Sequence, residues 1–279
     1  MIEWLQAFGI KIAIIVVLGF VGWLLSTRLV PRVIRRTIHF RMRDKPEIMI
    51  KTRSKTISHV ITNTIGIVIG VIVLFTVLGQ IGVNIGPALA SLGVVGLAIS
   101  FGAQGLIKDV LNGLFILLEN QYGIGDVVKV GGVSGLVEEV NLRRTVLRDL
   151  DGIVHYIPNS EISIASNFTK EYSRVNLNIS VGYGEDLERV IGVINRVCLQ
   201  MYEEPDWKKK IIKAPQVLRV DALGSSGIDI KILGDTKPLV QWEVMGELRK
   251  RIKTEFDREG IEIPWPHMKV FFGNKMVEN

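Results

Sequence analysis

The sequence holds one cysteine, Cys198, in 279 residues, which excludes an intrachain disulfide framework. Cys198 falls in an apolar helical pattern, so a buried structural thiol is expected. The four histidines, His39, His59, His155 and His267, show no metal-ligand spacing, so neither a metal nor a cofactor is expected. The glycine motif "GSSG" at 224–227 lacks the Lys-Ser/Thr of a phosphate loop. "GVVGLA" sits inside an apolar run and does not open a helix after a strand, as a dinucleotide site requires. No Ser/His/Asp or paired-carboxylate arrangement stands out, and an enzyme is not expected. Residues 86–107 carry no charge at all, which argues against a proton relay or an ion-coordinating transporter. Internal repeats, common in transporters, are also missing from the apolar part.

What is present is an uneven distribution of charge and hydrophobicity. The formal net charge is +6, but residues 28–55 alone hold ten Lys or Arg against Asp44 and Glu47. That segment is +8 and the remainder about −2. The basic run lies between two apolar runs with no recognition motif beside it, so nucleic acid is not the expected partner. A loop flanking a membrane fits better. A spanning helix needs about 20 apolar residues. Three candidates qualify, at about 4–27, 57–82 and 85–118, the last with a break expected near Gly105. Lys11 in the first is placed to snorkel to the headgroups. Glu3 before it and arginines after it favour a retained anchor over a cleaved signal. The turn "GQIGVNIGP" between spans two and three has no Lys or Arg. The positive-inside rule therefore puts residues 28–55 in the cytoplasm, the N-terminus outside and everything after the third span inside. A multi-pass protein of the cell (inner or plasma) membrane is expected, with lipids as partners. Arg28, Arg32, Arg35 and Arg36 are candidate anchors at anionic headgroups, or topology signals alone.

After Gly105 the pair Lys108-Asp109 interrupts the apolar pattern, and "VLNGLFILL" is too short to cross a bilayer. From residue 127 the pattern changes to short Val/Ile/Leu runs with Gly and Asp at the turns, an antiparallel β domain over 127–172. Residues 173–263 then read strand (175–181), helix (186–201), strand (216–222), strand (228–233), helix (239–258). That order suggests an α+β sandwich of the split-βαβ, ferredoxin-like kind. Gly260 is a plausible C-cap. A short final strand is expected at 268–272. Asn167-Phe-Thr and Asn178-Ile-Ser match the glycosylation pattern, but the topology places both in the cytoplasm, so they are chance matches.

The third span has an unusual surface. At 100° per residue, Ala90, Gly93, Leu97, Phe101 and Gln104 fall within about 40° of one line. Gly96 and Ser100 lie to one side, and Ala98, Gly102 and Gly105 to the other. Small flanks let helices approach closely in lipid. Two such flanks on one helix suggest that each copy packs against two neighbours in a closed ring. Leu97 and Phe101 would then form two apolar collars about the axis, a constriction that excludes ions by dewetting. Equally open from periodicity alone is that the small residues pack this helix against the first two spans of its own chain.

The third span with its "GLAxxxxxQG" core, the stretch "GIGDVVKVGGVSGLVEEVNLRRTVLRDLDG" and "IPNSEI" together resemble the mechanosensitive channels of small conductance, the MscS family. The resemblance implies a homoheptamer opened by membrane tension, releasing ions and small solutes on hypo-osmotic shock. It implies a cytoplasmic vestibule closed by a small barrel, to which residues 264–279 would contribute the last strand. By position, Leu97 and Phe101 match the constriction, Ala90, Gly93, Gly96, Ala98 and Ser100 the helix-packing positions, Gln104-Gly105 the kink, and Gly113 a second flexible glycine. Phe101 departs from the family pattern of leucine at both collar positions. A ligand-gated channel of the same architecture and a non-conducting scaffold are the other readings. The uncharged third span speaks against the scaffold, and the lack of room for a binding domain in this length speaks against the ligand.

Overall fold

A computed structural model of the chain describes residues 8–41, 46–266 and 268; the side-chain surroundings of residues 40 and 41 are not among them. The chain divides into two compact units, with the boundary in sequence between Gly102 and Ala103.

The first unit contains α1 (Ile10–Arg41), α2 (Glu47–Gln80) and the first part of α3 (Gly86–Leu118). All three helices are long and apolar enough to cross a membrane. Helices α1 and α2 pack as an antiparallel pair in which glycine permits close approach. A Cβ on Gly19 would overlap Val73 Cγ2, and one on Gly66 would sit 3.3 Å from the Trp23 ring. Asn84 Oδ1 accepts a hydrogen bond from Gly86 N–H at 3.0 Å, and Pro87 occupies the first turn of α3, where its missing N–H costs nothing.

The basic segment differs from the expected loop. Arg28, Arg32, Arg35 and Arg36 continue α1, and Lys51, Arg53 and Lys55 lie on α2. Residues 42–45 lie outside the described residues. The physical reason is that Arg and Lys are strong helix formers. A helix of 32 residues is also about 48 Å long, well beyond a hydrocarbon core of about 30 Å. The helix therefore need not stop where its apolar run does.

Gly105, where a break is expected, lies within α3, which is assigned as helix from Gly86 to Leu118. One interior glycine costs about 1 kcal/mol relative to alanine. Ala103, Leu106 and Ile107 around it favour the helix, so a single Gly does not end it.

The second unit begins with the remainder of α3. Five antiparallel strands follow: β1 (Val127–Val130), β2 (Val133–Val140), β3 (Arg144–Arg148), β4 (Val154–Pro158) and β5 (Ser166–Asn167), in spatial order β4-β3-β2-β1-β5. Val128, Val130, Val137, Leu147 and Ile157 form its core with Ile116 of α3 and Tyr122. Asp126 of the "GIGD" turn ties the sheet together. Its carboxylate accepts from Gly123 N–H at 3.0 Å and from Asn167 Nδ2 at 2.9 Å. Asn167, the first residue of a glycosylation-like triplet, is thus committed to the fold.

Next come β6 (Ser173–Val181), α4 (Leu187–Glu203), β7 (Ile211–Leu223), β8 (Ile228–Thr236) and α5 (Gln241–Glu259). Strand β8 lies between β6 and β7 and is antiparallel to both. β6 and β7 are therefore parallel, joined through α4, which is the split βαβ arrangement. Asp186 caps α4 by accepting from Glu188 N–H at 3.0 Å. Gly260 ends α5 with φ +68°, the left-handed C-cap. Both helices bury one face: Val190, Ile194, Val197 and Met201 from α4 meet Leu248, Ile252 and Phe256 from α5 over the sheet. The expected last strand, 268–272, and most of 264–279 lie outside the described residues.

The end of α3 is bolted to the β domain by polar contacts. Asp109 is buried, and its Oδ1 accepts from Ser160 N–H at 2.7 Å. Asn112 Nδ2 donates to the Asn159 carbonyl at 2.9 Å. The buried Asn159 side chain donates to the Asn141 carbonyl at 2.8 Å and accepts from Thr145 Oγ1 at 3.1 Å. Thr145 Oγ1 lies 2.9 Å from the Tyr122 hydroxyl, which must donate, because Thr145 uses its one proton on Asn159. Each buried polar group has its partner, the condition for such a network to stabilise.

Gly113, expected by resemblance as a second flexible glycine, lies in this junction. It is buried within the helix, and a Cβ there would overlap the Leu142 carbonyl and the Asn159 amide nitrogen. It is glycine so that backbone can approach backbone.

Two measurements check this packing. Gly113→Ala should lose about 1–3 kcal/mol, as overpacking does, seen as a lower Tm by circular dichroism. Gly105→Ala, where a Cβ meets nothing within 4 Å, should leave Tm unchanged or raise it; equal behaviour of the two variants would contradict the junction. Burial pushes the Cys198 thiol up to about 12. A maleimide at about pH 8 should label Cys198 only after the protein is unfolded, and rapid labelling of the folded protein would contradict the burial.

Candidate pore helix

The first part of α3, residues 86–102, is uncharged and lies wholly in the first unit. Its two hydroxyls are satisfied within the helix: Ser91 Oγ donates to the Pro87 carbonyl at 3.0 Å and Ser100 Oγ to the Gly96 carbonyl at 2.9 Å. No polar group therefore prevents this surface from meeting lipid or another helix.

Every one of the proposed surface positions is open in the single chain. Leu97 is 61% exposed and Phe101 75%, the latter being among the most exposed aromatic side chains described. Ala90, Gly93, Gly96, Ala98 and Ser100 are exposed as well. A Cβ built on Gly93, Gly96 or Gly102 would meet no atom within 4 Å, in contrast to Gly19 and Gly66 of the α1–α2 pair. The alternative in which these glycines pack against the chain's own first two helices is therefore not realised among the described residues. Gln104 and Gly105 are exposed and helical. Gly113 is placed elsewhere, in the junction with the β domain.

The chemistry available here is narrow. Leu97 and Phe101 stand one turn apart with no charged neighbour in 86–102. Among the described residues no group of His, Cys, Asp or Glu is placed to hold a metal ion. Such a surface does not coordinate an ion; it can only deny one a hydrated path. Arg28, Arg32, Arg35 and Arg36 are exposed on α1, away from this stretch in sequence and on a different element.

The residues that sequence patterning did not single out are Asp109, Asn112, Tyr122, Thr145 and Asn159. The signal was partly visible: Asp109 and Asn112 are polar positions in an otherwise apolar run, and Asn159-Ser160 lies in "IPNSEI". Their pairing spans 47 and 51 residues of chain, which no local pattern encodes.

Comparison with known proteins agrees with this architecture in chain order. Residues 63–104 match the family description "Mechanosensitive ion channel, transmembrane helices 2/3", residues 105–170 "Mechanosensitive ion channel, beta-domain", and residues 175–263 "Mechanosensitive ion channel MscS, C-terminal". The small-conductance mechanosensitive channel of Caldanaerobacter subterraneus is 34% identical over 200 residues, 72% of this chain and 70% of that protein. The moderate conductance mechanosensitive channel YbiO of Escherichia coli is 32% identical over 255 residues, which cover 91% of this chain but only 34% of that longer protein. Among solved structures, Helicobacter pylori MscS in its closed state superposes with a TM-score of 0.62 at 24% identity, covering 94% of this chain and 99% of that one. Arabidopsis thaliana MSL1 gives 0.59 at 19% identity, over 94% and 97%. At those identities the likeness concerns the fold alone. Three domain matches in sequence order, together with a relative of this identity and coverage, establish that the chain belongs to the MscS family of mechanosensitive ion channels, multi-pass membrane proteins that are channels and not enzymes.

Proposed function

We propose that identical copies of this chain form a ring, seven by family resemblance, whose axis is lined by the first part of α3 and whose passage is closed by collars of Leu97 and Phe101. The observation that carries this reading is the open pair of small-residue flanks on an uncharged helix, with no intrachain partner among the described residues. An apolar helix in lipid gains nothing from hydrophobicity alone, so close backbone packing is what drives such helices together. Ala90, Gly93 and Gly96 on the lining helix, with Ala98 and Ser100 beside the collars, supply that packing between neighbours.

Tension acts through area. A state that occupies more membrane is stabilised by stretch in proportion to its extra area, so tension shifts the population toward a wider ring. As the lining helices separate, the collars retract and the passage wets. Gln104-Gly105, helical and unpacked, is where α3 can bend during that change, while the Gly113 junction holds its end on the β domain. The ten Lys and Arg in residues 28–55 set the orientation: N-terminus outside, the β and α+β domains in the cytoplasm. Arg28, Arg32, Arg35 and Arg36 then lie at the cytoplasmic headgroups. In a cell this device releases ions and small solutes when dilution of the medium stretches the membrane.

Purified protein in liposomes should pass current under suction; silent patches holding demonstrable protein would contradict tension gating. Leu97→Ser removes up to about 1.5–3 kcal/mol of apolar side chain per subunit from the collar. It should therefore lower the suction needed to open, and an unchanged threshold would remove Leu97 from the constriction. Gly96→Leu should shift the protein to smaller species in size-exclusion chromatography with the far-ultraviolet spectrum kept; an unaltered elution profile would contradict packing through that flank.

A further inference from the structure

The cytoplasmic end of the α1–α2 pair carries two adjoining cavities, of about 500 and about 490 Å³, that share Arg35 of α1 and Lys51 of α2 as walls. Both lie within the first unit. The end remote from the apolar run is lined by Arg32, Arg36, His39 and Glu47. The other is lined by Lys55 and His59 and then by hydroxyls, with Trp23 and Pro31 toward the apolar run.

Among the described residues, five permanent cations, Arg32, Arg35, Arg36, Lys51 and Lys55, thus face one groove with a single carboxylate, Glu47. None of the five forms an ion pair or a side-chain hydrogen bond with another described residue. Like charges held this close repel, and an anion between them relieves the repulsion. The groove is also graded. Past Lys55 stand Thr27 and the buried Ser58, and beyond those the Trp23 indole. Cation, hydroxyl and indole in succession match phosphate, glycerol ester and acyl chain. A free phosphate would use the cations alone, whereas the groove continues past them to the Trp23 indole. Indole at such a depth also fits the interfacial preference of Trp.

We infer that this groove is a binding site for one anionic phospholipid, with its phosphate between Arg35 and Lys51 and its glycerol end toward Trp23. The inference rests on the reading that this end of the hairpin lies at the headgroups. It goes beyond general anchoring by arginine, because it names a site built from both helices and includes Lys51 and Lys55. A lipid so held ties α1 to α2.

The test uses the full chain in phosphatidylcholine vesicles doped with brominated phosphatidylglycerol or brominated phosphatidylcholine. Bromine quenches Trp23 on contact, and the Trp23 share is the difference from Trp23→Phe. The anionic lipid should quench preferentially, with each basic residue worth about fivefold in occupancy. Arg35→Gln with Lys51→Gln should abolish the preference, whereas Glu47→Gln should strengthen it, a gain that misfolding does not mimic. Inorganic phosphate in the buffer should leave the quench unchanged. Equal quenching by the two lipids, or a preference that survives the double variant, would overturn the site. Loss of the preference on adding phosphate would overturn the lipid in favour of a soluble anion. No current is read, so a protein that binds the lipid but stays silent under suction would keep this site and lose the gating reading.

Discussion

An uncharged stretch of helix whose small-residue flanks meet no other described residue of its own chain must be covered by something else. That constraint governs the membrane half of this protein. The first part of α3 leaves Leu97, Phe101 and both glycine flanks open. In lipid the flanks are poor acyl-chain contacts but good helix contacts, since a missing side chain brings backbones together. In the ring we propose, neighbours cover the flanks, and Leu97 and Phe101 are the large side chains left on the inner line. Such a collar would work by a property that requires no polar atom: water retreats from a narrow apolar passage, and ions follow it.

The two ends of α3 use glycine in opposite ways. Gly93 and Gly96 face open space, whereas Gly113 is wedged against the Leu142 carbonyl and the Asn159 amide. One end is therefore free to find new neighbours and the other is fixed to a fully hydrogen-bonded junction. A tension sensor needs both properties on the same helix. Movement at the open end has to be borne by a stiff mount, and the buried chain from Asn112 through Asn159 and Thr145 to Tyr122 supplies that stiffness. Interiors of this density do not deform by degrees, which favours switching between discrete arrangements.

Much of this was legible in the sequence because it is periodic. Three apolar runs, alternation in the β domain and the strand–helix–strand order of the α+β domain all follow from local patterns, and the split βαβ topology emerges from them. What was misjudged is instructive. The arginine-rich segment was expected to be a loop, yet helix propensity carries α1 to Arg41 and α2 back from Glu47. Helix assignment likewise continues through Gly105, a glycine among strong helix formers. The close neighbours of Gly113 were not legible, because they lie in the β domain, some 30 to 46 residues along the chain. Burial of Asp109 by the backbone of Ser160 was invisible for the same reason. Local pattern reveals the elements, while the contacts that fix a glycine's purpose are long-range.

The most direct measurement is an electron cryomicroscopy structure of the assembled protein in a lipid nanodisc. Leu97 and Phe101 of every copy should point to a common symmetry axis, with Gly93 and Gly96 against the neighbouring α3 and no lipid between them. A map in which those side chains face acyl tails, or in which the α3 helices of neighbouring copies do not touch, would contradict the ring and with it the gate.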